Sequence, residues 1–226
     1  MKPKDFKPQF SWEERQPVIS DGLLTVPQYY EGHETFTFPG WEIFPEKRPV
    51  CIEYCSGNGS WLTHRAKSDK ERNWVGVEMR FDRVRKIWAK RHNLDLSNLF
   101  VVWGEAQTFT RHYISSHSVA EVFINFPDPW PKKRHEKHRL MKPEFLQELG
   151  RILEIGGKVT FVTDDRDYLL WTINHFLADK SFVSTYPDPF YIEEMGDYGS
   201  SYFDTLWRDL GRKIHYTQFY PMPCSS

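Results

Sequence analysis

The stretch Val50-Cys51-Ile52-Glu53-Tyr54-Cys55-Ser56-Gly57-Asn58-Gly59-Ser60 decides the fold. Its first half is a short, mostly apolar run, the composition of a strand buried on both faces. Its second half is a polar turn with two glycines, which let the backbone turn tightly and approach a ligand before a helix begins. A strand, a glycine turn and a helical segment in that order make the repeating unit of a sheet with crossover helices.

The alternation continues downstream. Trp74–Glu78, Phe100–Trp103, Val119–Asn125 and Lys158–Thr163 read as further buried strands. Residues 82–92 place Val84, Ile87 and Trp88 on one helical face and Arg83, Arg85, Lys86, Lys90 and Arg91 on the other. Pro143 suits the first turn of another helix, with a core stripe of Phe145, Leu146, Leu149, Ile152 and Leu153 that ends at Gly156-Gly157. Residues 166–178 direct Leu170, Ile173 and Leu177 inward, and the aromatic tail from Phe182 to Tyr220 predicts a last strand near Lys213–Phe219. The expected fold class is α/β, with about five parallel strands in a doubly wound, Rossmann-like sheet flanked by helices. Upstream, prolines at positions 3, 8, 17, 27, 39 and 45 predict an irregular arm over residues 1–48, leaving 49–226 as the folded domain.

A chain of 226 residues can bury a full core without metal or disulfide staples. Its formal charge of -1 argues against a protein that coats nucleic acid, so any RNA partner must meet a local basic face. No apolar run approaches a membrane span, and the start, Met1 to Pro8, is charged and broken by proline, so a cytoplasmic protein is expected. Cys51, Cys55 and Cys224 read as reduced thiols, since the first two fall in a strand and its turn, which suits neither a bridge nor a metal pair. No metal, no membrane and no obligate protein partner are expected; the chain would act as a monomer or homodimer.

Ligands of such sheets bind beyond the carboxyl ends of the strands. Glu53 precedes the turn of Gly57 and Gly59, and Glu78 closes the second strand 25 residues later, where a carboxylate can accept both hydroxyls of a ribose. Glu105, followed by Ala106, closes the third and could accept from an adenine amino group. A lone Gly-x-Gly is compatible with a turn only, and a lone acid with a helix cap; acids at three successive strand ends point to one ligand. Such a lining disfavours a pyrophosphate, which seeks a helix N-terminus free of acids. It suits S-adenosylmethionine, which has no phosphate and carries a sulfonium and an ammonium.

The fourth strand runs into Asn125-Phe126-Pro127-Asp128-Pro129-Trp130-Pro131-Lys132-Lys133-Arg134-His135-Glu136-Lys137-His138-Arg139. Two prolines stiffen the loop around Asp128, and Trp130 offers a face for a base or an anchor for the loop. Residues 132–142 carry six Lys/Arg against one Glu for phosphates. This string closely resembles the signature of the bacterial tRNA (guanine-N7)-methyltransferases, and the resemblance extends from about Pro49 to Gly211. It implies a class I methyltransferase fold, S-adenosylmethionine as cofactor and tRNA as substrate, with the variable-loop guanosine at tRNA position 46 as the usual target. Matched residue by residue, it implies that Glu53, Gly57, Gly59, Glu78, Glu105, Ala106, Asn125 and Asp128 line the cofactor side, with Asp128 the catalytic aspartate. Lys132 and Asp164 would contact the RNA, as would Ser201-Tyr202-Phe203-Asp204, which stands where the family has a Thr-x-Phe-Glu segment; Tyr202 and Phe203 in it look like packing residues. Lys133, Arg134, His135 and Arg139 are candidate RNA contacts, and Arg15 and the Lys2-Lys4-Lys7 cluster would be the arm's contribution. The sequence departs from the family pattern at Cys55, where the turn usually has its first glycine, at Gly104-Glu105-Ala106, and at Ser201 and Asp204.

Guanine N7 has a lone pair and no proton, so attack on the sulfonium methyl needs no base, and alignment carries the catalysis. Asp128, aided by Asp164, would accept from the N1–H and amino group of the guanine as its ring becomes cationic. His135 and His138 then read as phosphate or sugar contacts. Rival readings are methylation of an exocyclic base amine, an RNA-binding protein whose Cys55 has cost it catalysis, and a small-molecule methyltransferase, which would not need the basic string.

Overall fold

The computed structural model describes residues 1–7, 15–27, 30–199 and 201–222; Pro8 and Cys224 lie outside the described residues. The chain forms two compact units, residues 1–115 and 116–226.

In the first unit β1 (Val18–Ser20) and β2 (Leu23–Thr25) form an antiparallel hairpin, followed by β3 (Val50–Tyr54), α1 (Ser60–Ser68), β4 (Asn73–Glu78), α2 (Phe81–Asn93), β5 (Leu99–Trp103) and α3 (Ala106–Tyr113). The strand order is β1-β2-β5-β4-β3, parallel except for the hairpin. Every residue of β3 and β4 is buried, as their apolar runs predict. The hairpin is the departure, because it lies inside the segment expected to be irregular. Asp21 and Gly22 both take positive φ, 52° and 73°, as the favoured two-residue hairpin turn requires. The stripe of Val84, Ile87 and Trp88 is buried on α2, but Arg91 is not on the solvated face: its Nε donates to the Leu99 carbonyl at 2.6 Å.

In the second unit the elements are β6 (Val119–Asn125), α4 (Pro143–Ile152), β7 (Leu153–Thr163), α5 (Arg166–Ala178), β8 (Phe182–Ser184), α6 (Tyr202–Asp209) and β9 (His215–Pro221). The order is β6-β7-β9-β8; β6 and β7 are parallel, and β9 runs antiparallel to both neighbours. The sequence places the fifth strand at Lys158 with Leu153 in the preceding helix, whereas β7 begins at Leu153, paired with Val119. Gly157 permits the register shift that follows, since a Cβ there would stand 2.8 Å from the Ala120 carbonyl. The stripe on α5 is also rotated from expectation: Tyr168, Leu169, Thr172, Ile173 and Phe176 are buried, and Leu177 is exposed. Stacking of Phe176 on Phe219, with ring centroids 4.3 Å apart and planes within 7°, accounts for that phase.

Candidate active site

In the first unit the site grows from the turn between β3 and α1. Cys55, Gly57 and Gly59 take left-handed φ of 60°, 55° and 72°. Gly59 is required twice over, since a Cβ would also meet Ile87 at 2.7 Å. Cys55 adopts the same conformation without glycine's freedom, at a cost of about 1–2 kcal/mol. The Gly57 N–H donates to Glu78 Oε2 at 2.9 Å and the Arg80 N–H to Oε1 at 2.8 Å, so the acid that ends β4 is tied to the glycine turn. Burial pushes the Glu78 carboxyl up from its ordinary pKa, opposed by the Arg80 amide and Arg83.

Glu53 is likewise buried, at 2% exposure. Lys90, expected in solvent, instead folds onto the turn, where Nζ donates to the Asn58 carbonyl and to Ser60 Oγ, both at 3.0 Å. Burial lowers its pKa, with Lys86 acting in the same sense and Glu53 opposing. Glu105 is exposed at the N-cap of α3 and accepts from the Thr108 hydroxyl at 2.5 Å, with Ala106 next to it. Met79, 61% exposed directly after Glu78, gives this end of the sheet an apolar surface that the sequence reading passed over.

The second unit carries the loop after β6. Asn125 is buried and accepts from the Tyr198 hydroxyl at 2.5 Å, so its amide oxygen is engaged within the protein. Phe126 and Trp130, each preceding a proline, hold left-handed φ of 48° and 45° on either side of exposed Asp128. Two such residues in one short loop store strain of the kind found at functional sites. Lys132, Lys133 and Arg134 are exposed, and the ring of Trp130, itself 37% exposed, lies 5.9 Å from that of His135 and 5.1 Å from that of His138.

Arg139 departs from its expected role in RNA binding. It is 5% exposed, its guanidinium lies 5.1 Å from the ring centroids of both Tyr168 and Trp171, and its Nε donates to the Pro129 carbonyl at 2.8 Å. It clamps the Asp128 loop to α5. Asp164, at the end of β7, pairs through Oδ2 with Arg212 Nη1 at 2.5 Å.

Ser201 and Asp204 are also taken up internally. The Ser201 hydroxyl caps α6 by accepting from the Asp204 N–H at 3.0 Å, and the buried Asp204 carboxylate accepts from Arg208 Nε at 3.1 Å and the Tyr216 hydroxyl at 3.3 Å. The Ser-x-x-Asp spacing is that of a helix-starting pair, a signal already present in the sequence. Phe203, on the first turn, meets Phe126 at 6.2 Å and Trp207 at 6.5 Å, while Tyr202 is 54% exposed.

Residues 47–217 match a family described as putative methyltransferase. Proteins named tRNA (guanine-N(7)-)-methyltransferase from Chlamydia felis and Chlamydia caviae are 48% and 45% identical to this chain, each over 97% of both chains. The chain belongs to the tRNA (guanine-N7)-methyltransferase family. The crystal structure of a 16S rRNA methyltransferase resembles it with a TM-score of 0.59 at 16% identity, covering 80% of this chain and 92% of that one. That likeness places the family member in the class I methyltransferase fold, as the family resemblance implies. Among the described residues no cluster of three or more His, Cys, Asp or Glu stands ready for a metal, and no helix is long and apolar enough to cross a membrane.

Proposed function

We propose that this chain methylates N7 of a guanosine in tRNA with S-adenosylmethionine as donor, and that the target is the variable-loop guanosine at tRNA position 46. The observation that carries the reading is 45–48% identity along nearly the whole chain to relatives named for that reaction. The first unit supports the donor. Its polar groups at the ends of β3, β4 and β5 are the carboxylates Glu53, Glu78 and Glu105, which suit a ligand that is cationic and has ribose hydroxyls and an adenine amine to donate. The left-handed Gly57 and Gly59 allow close approach, and Cys55 holds the left-handed conformation that a glycine adopts freely. When bound, S-adenosylmethionine supplies a methyl group on a positively charged sulfur.

The chain's own residues then have three tasks. Glu53, Glu78, Glu105 and Ala106 hold the donor; Lys132, Lys133 and Arg134 hold phosphates; Asp128 and Asp164 hold the base. Asp128 is suited to its part because its loop is stiffened by Pro127 and Pro129 and clamped by Arg139. A carboxylate fixed in advance strengthens its hydrogen bonds to the guanine edge as positive charge spreads into the ring, which favours the transition state over the ground state.

The test is to incubate tRNA with the protein and methyl-labelled donor, treat it with borohydride and aniline, and map the label by mass spectrometry. Strand cleavage at the labelled base is expected. Label without cleavage would mean that an atom other than N7, such as an exocyclic amine, had been methylated and would remove N7 from the proposal.

A further inference from the structure

The C-terminal end of α6 builds a device that the activity has not yet used. Gly211, at φ 74°, lets its own N–H reach the Arg208 carbonyl and the Arg212 N–H reach the Trp207 carbonyl, both at 2.9 Å. This is the paired cap in which a left-handed glycine turns the chain back over the last helical turn. Arg212 is thereby laid against Trp207, with its guanidinium carbon 4.1 Å from the ring centroid, and Nη1 reaches Asp164 Oδ2 at 2.5 Å. Trp207 stacks in turn on Phe203, with planes within 20°.

An ion pair of two flexible surface side chains contributes little, because ordering them costs entropy. Here both ends are restrained: the Asp164 side chain is only 11% exposed, and Arg212, although its side chain is 52% exposed, has its backbone fixed by the helix cap and its guanidinium laid over the Trp207 ring. Pinning one carboxylate oxygen fixes the orientation of the other, Oδ1.

Resting on the function proposed above, we infer that Arg212 is a positioning residue for base recognition: by pinning Asp164 Oδ2 it leaves Oδ1 set to accept from the 2-amino group of the target guanine. The Gly211-Arg212 turn then sets how strongly guanine is preferred over a purine that lacks that amine.

The experiment compares kcat/KM on a tRNA transcript with guanosine at the modified position and on one with inosine there, which keeps N7, O6 and N1–H but has no 2-amino group. For the wild type, one hydrogen bond to a carboxylate predicts a preference for guanosine on the order of ten- to a hundredfold. Arg212→Gln and Gly211→Ala should each lower that ratio toward the value for Asp164→Asn, and Arg212→Gln added to Asp164→Asn should lower it no further. Activity that falls equally on both transcripts, with the ratio unchanged, would mean that Arg212 only supports the fold and would overturn the inference. A wild type that uses both transcripts equally overturns it without any variant. A wild type that modifies neither transcript contradicts the proposed function itself, a separate result.

Discussion

Replacing Arg139 by alanine separates the clamp seen in the structure from the phosphate contact that the basic string suggests. The lost interactions are a hydrogen bond from a charged donor to the Pro129 carbonyl at 2.8 Å and stacking on two rings at 5.1 Å. The first is worth about 1.5–3 kcal/mol and desolvated cation–ring contacts about 1–2 kcal/mol. Neighbouring interactions do not add fully, so the expected loss is about 3 kcal/mol. Glu136, 3.8 Å away with its side chain 39% exposed, adds little. For a chain of this size that corresponds to a fall of roughly 6–12 °C in the thermal midpoint. Calorimetry and tRNA binding between 50 and 200 mM salt should be run on the same preparation. A phosphate ligand would take roughly 0.7–0.9 from the slope of log affinity against log salt, whereas a buried clamp leaves that slope unchanged. Arg139→Lys keeps the charge but not the planar fork, and is expected to lose most of the same stability. An unchanged midpoint together with a slope reduced by nearly one would refute the clamp.

The other expectations are simpler. Asp128→Asn should lower turnover by about a hundredfold while changing equilibrium binding of the donor far less; normal turnover would take Asp128 out of the mechanism. Alanine at Lys132, Lys133 and Arg134 together should flatten the salt dependence of tRNA binding by a slope of about 2, and equal slopes in variant and wild type would argue against phosphate contacts there. Cys55→Gly relieves a left-handed non-glycine residue and should stabilise by about 1 kcal/mol, seen as a rise of roughly 2–4 °C in the midpoint; a fall would mean that the thiol's packing outweighs the strain. Glu78 has its pKa raised by burial, so its contribution to stability is fully present below the ordinary value of 4.5 and is lost as pH rises through the higher folded value. The midpoint of Glu78→Gln relative to wild type should therefore climb between pH 4 and pH 7, and parallel pH profiles would show that the shift is absent.

The fold was legible wherever one physical signal acted alone. Val50–Tyr54 and Val119–Asn125 are mostly apolar runs that bury themselves best inside a parallel sheet, and the structure ends them at those residues. Legibility failed where two signals competed. Leu153 fits the helical period of α4, yet its pairing with Val119 starts a strand there, and a pattern read along the chain cannot see a partner 34 residues away. The hairpin over Val18–Thr25 was hidden because the surrounding prolines outweighed the Asp21-Gly22 turn that defines it. Charge alone places Lys90 and Arg91 in solvent, but their long stems reach back to carbonyls of the glycine turn and of β5.

The candidate site divides along a line that composition cannot draw. Asp128, Glu105, Lys132, Lys133, Arg134 and Tyr202 present polar atoms to solvent, whereas Asn125, Arg139, Ser201 and Asp204 have theirs engaged inside the protein. A rigid ligand-binding group needs neighbours whose own hydrogen bonds are complete, because a half-satisfied buried polar group would move to find a partner. A motif that binds a ligand must therefore contain both kinds of residue, and spacing alone makes them look alike. The two kinds should part under substitution. Changes in the engaged set should lower stability and activity together, while changes in the exposed set should lower activity or tRNA affinity and leave the thermal midpoint nearly where it was.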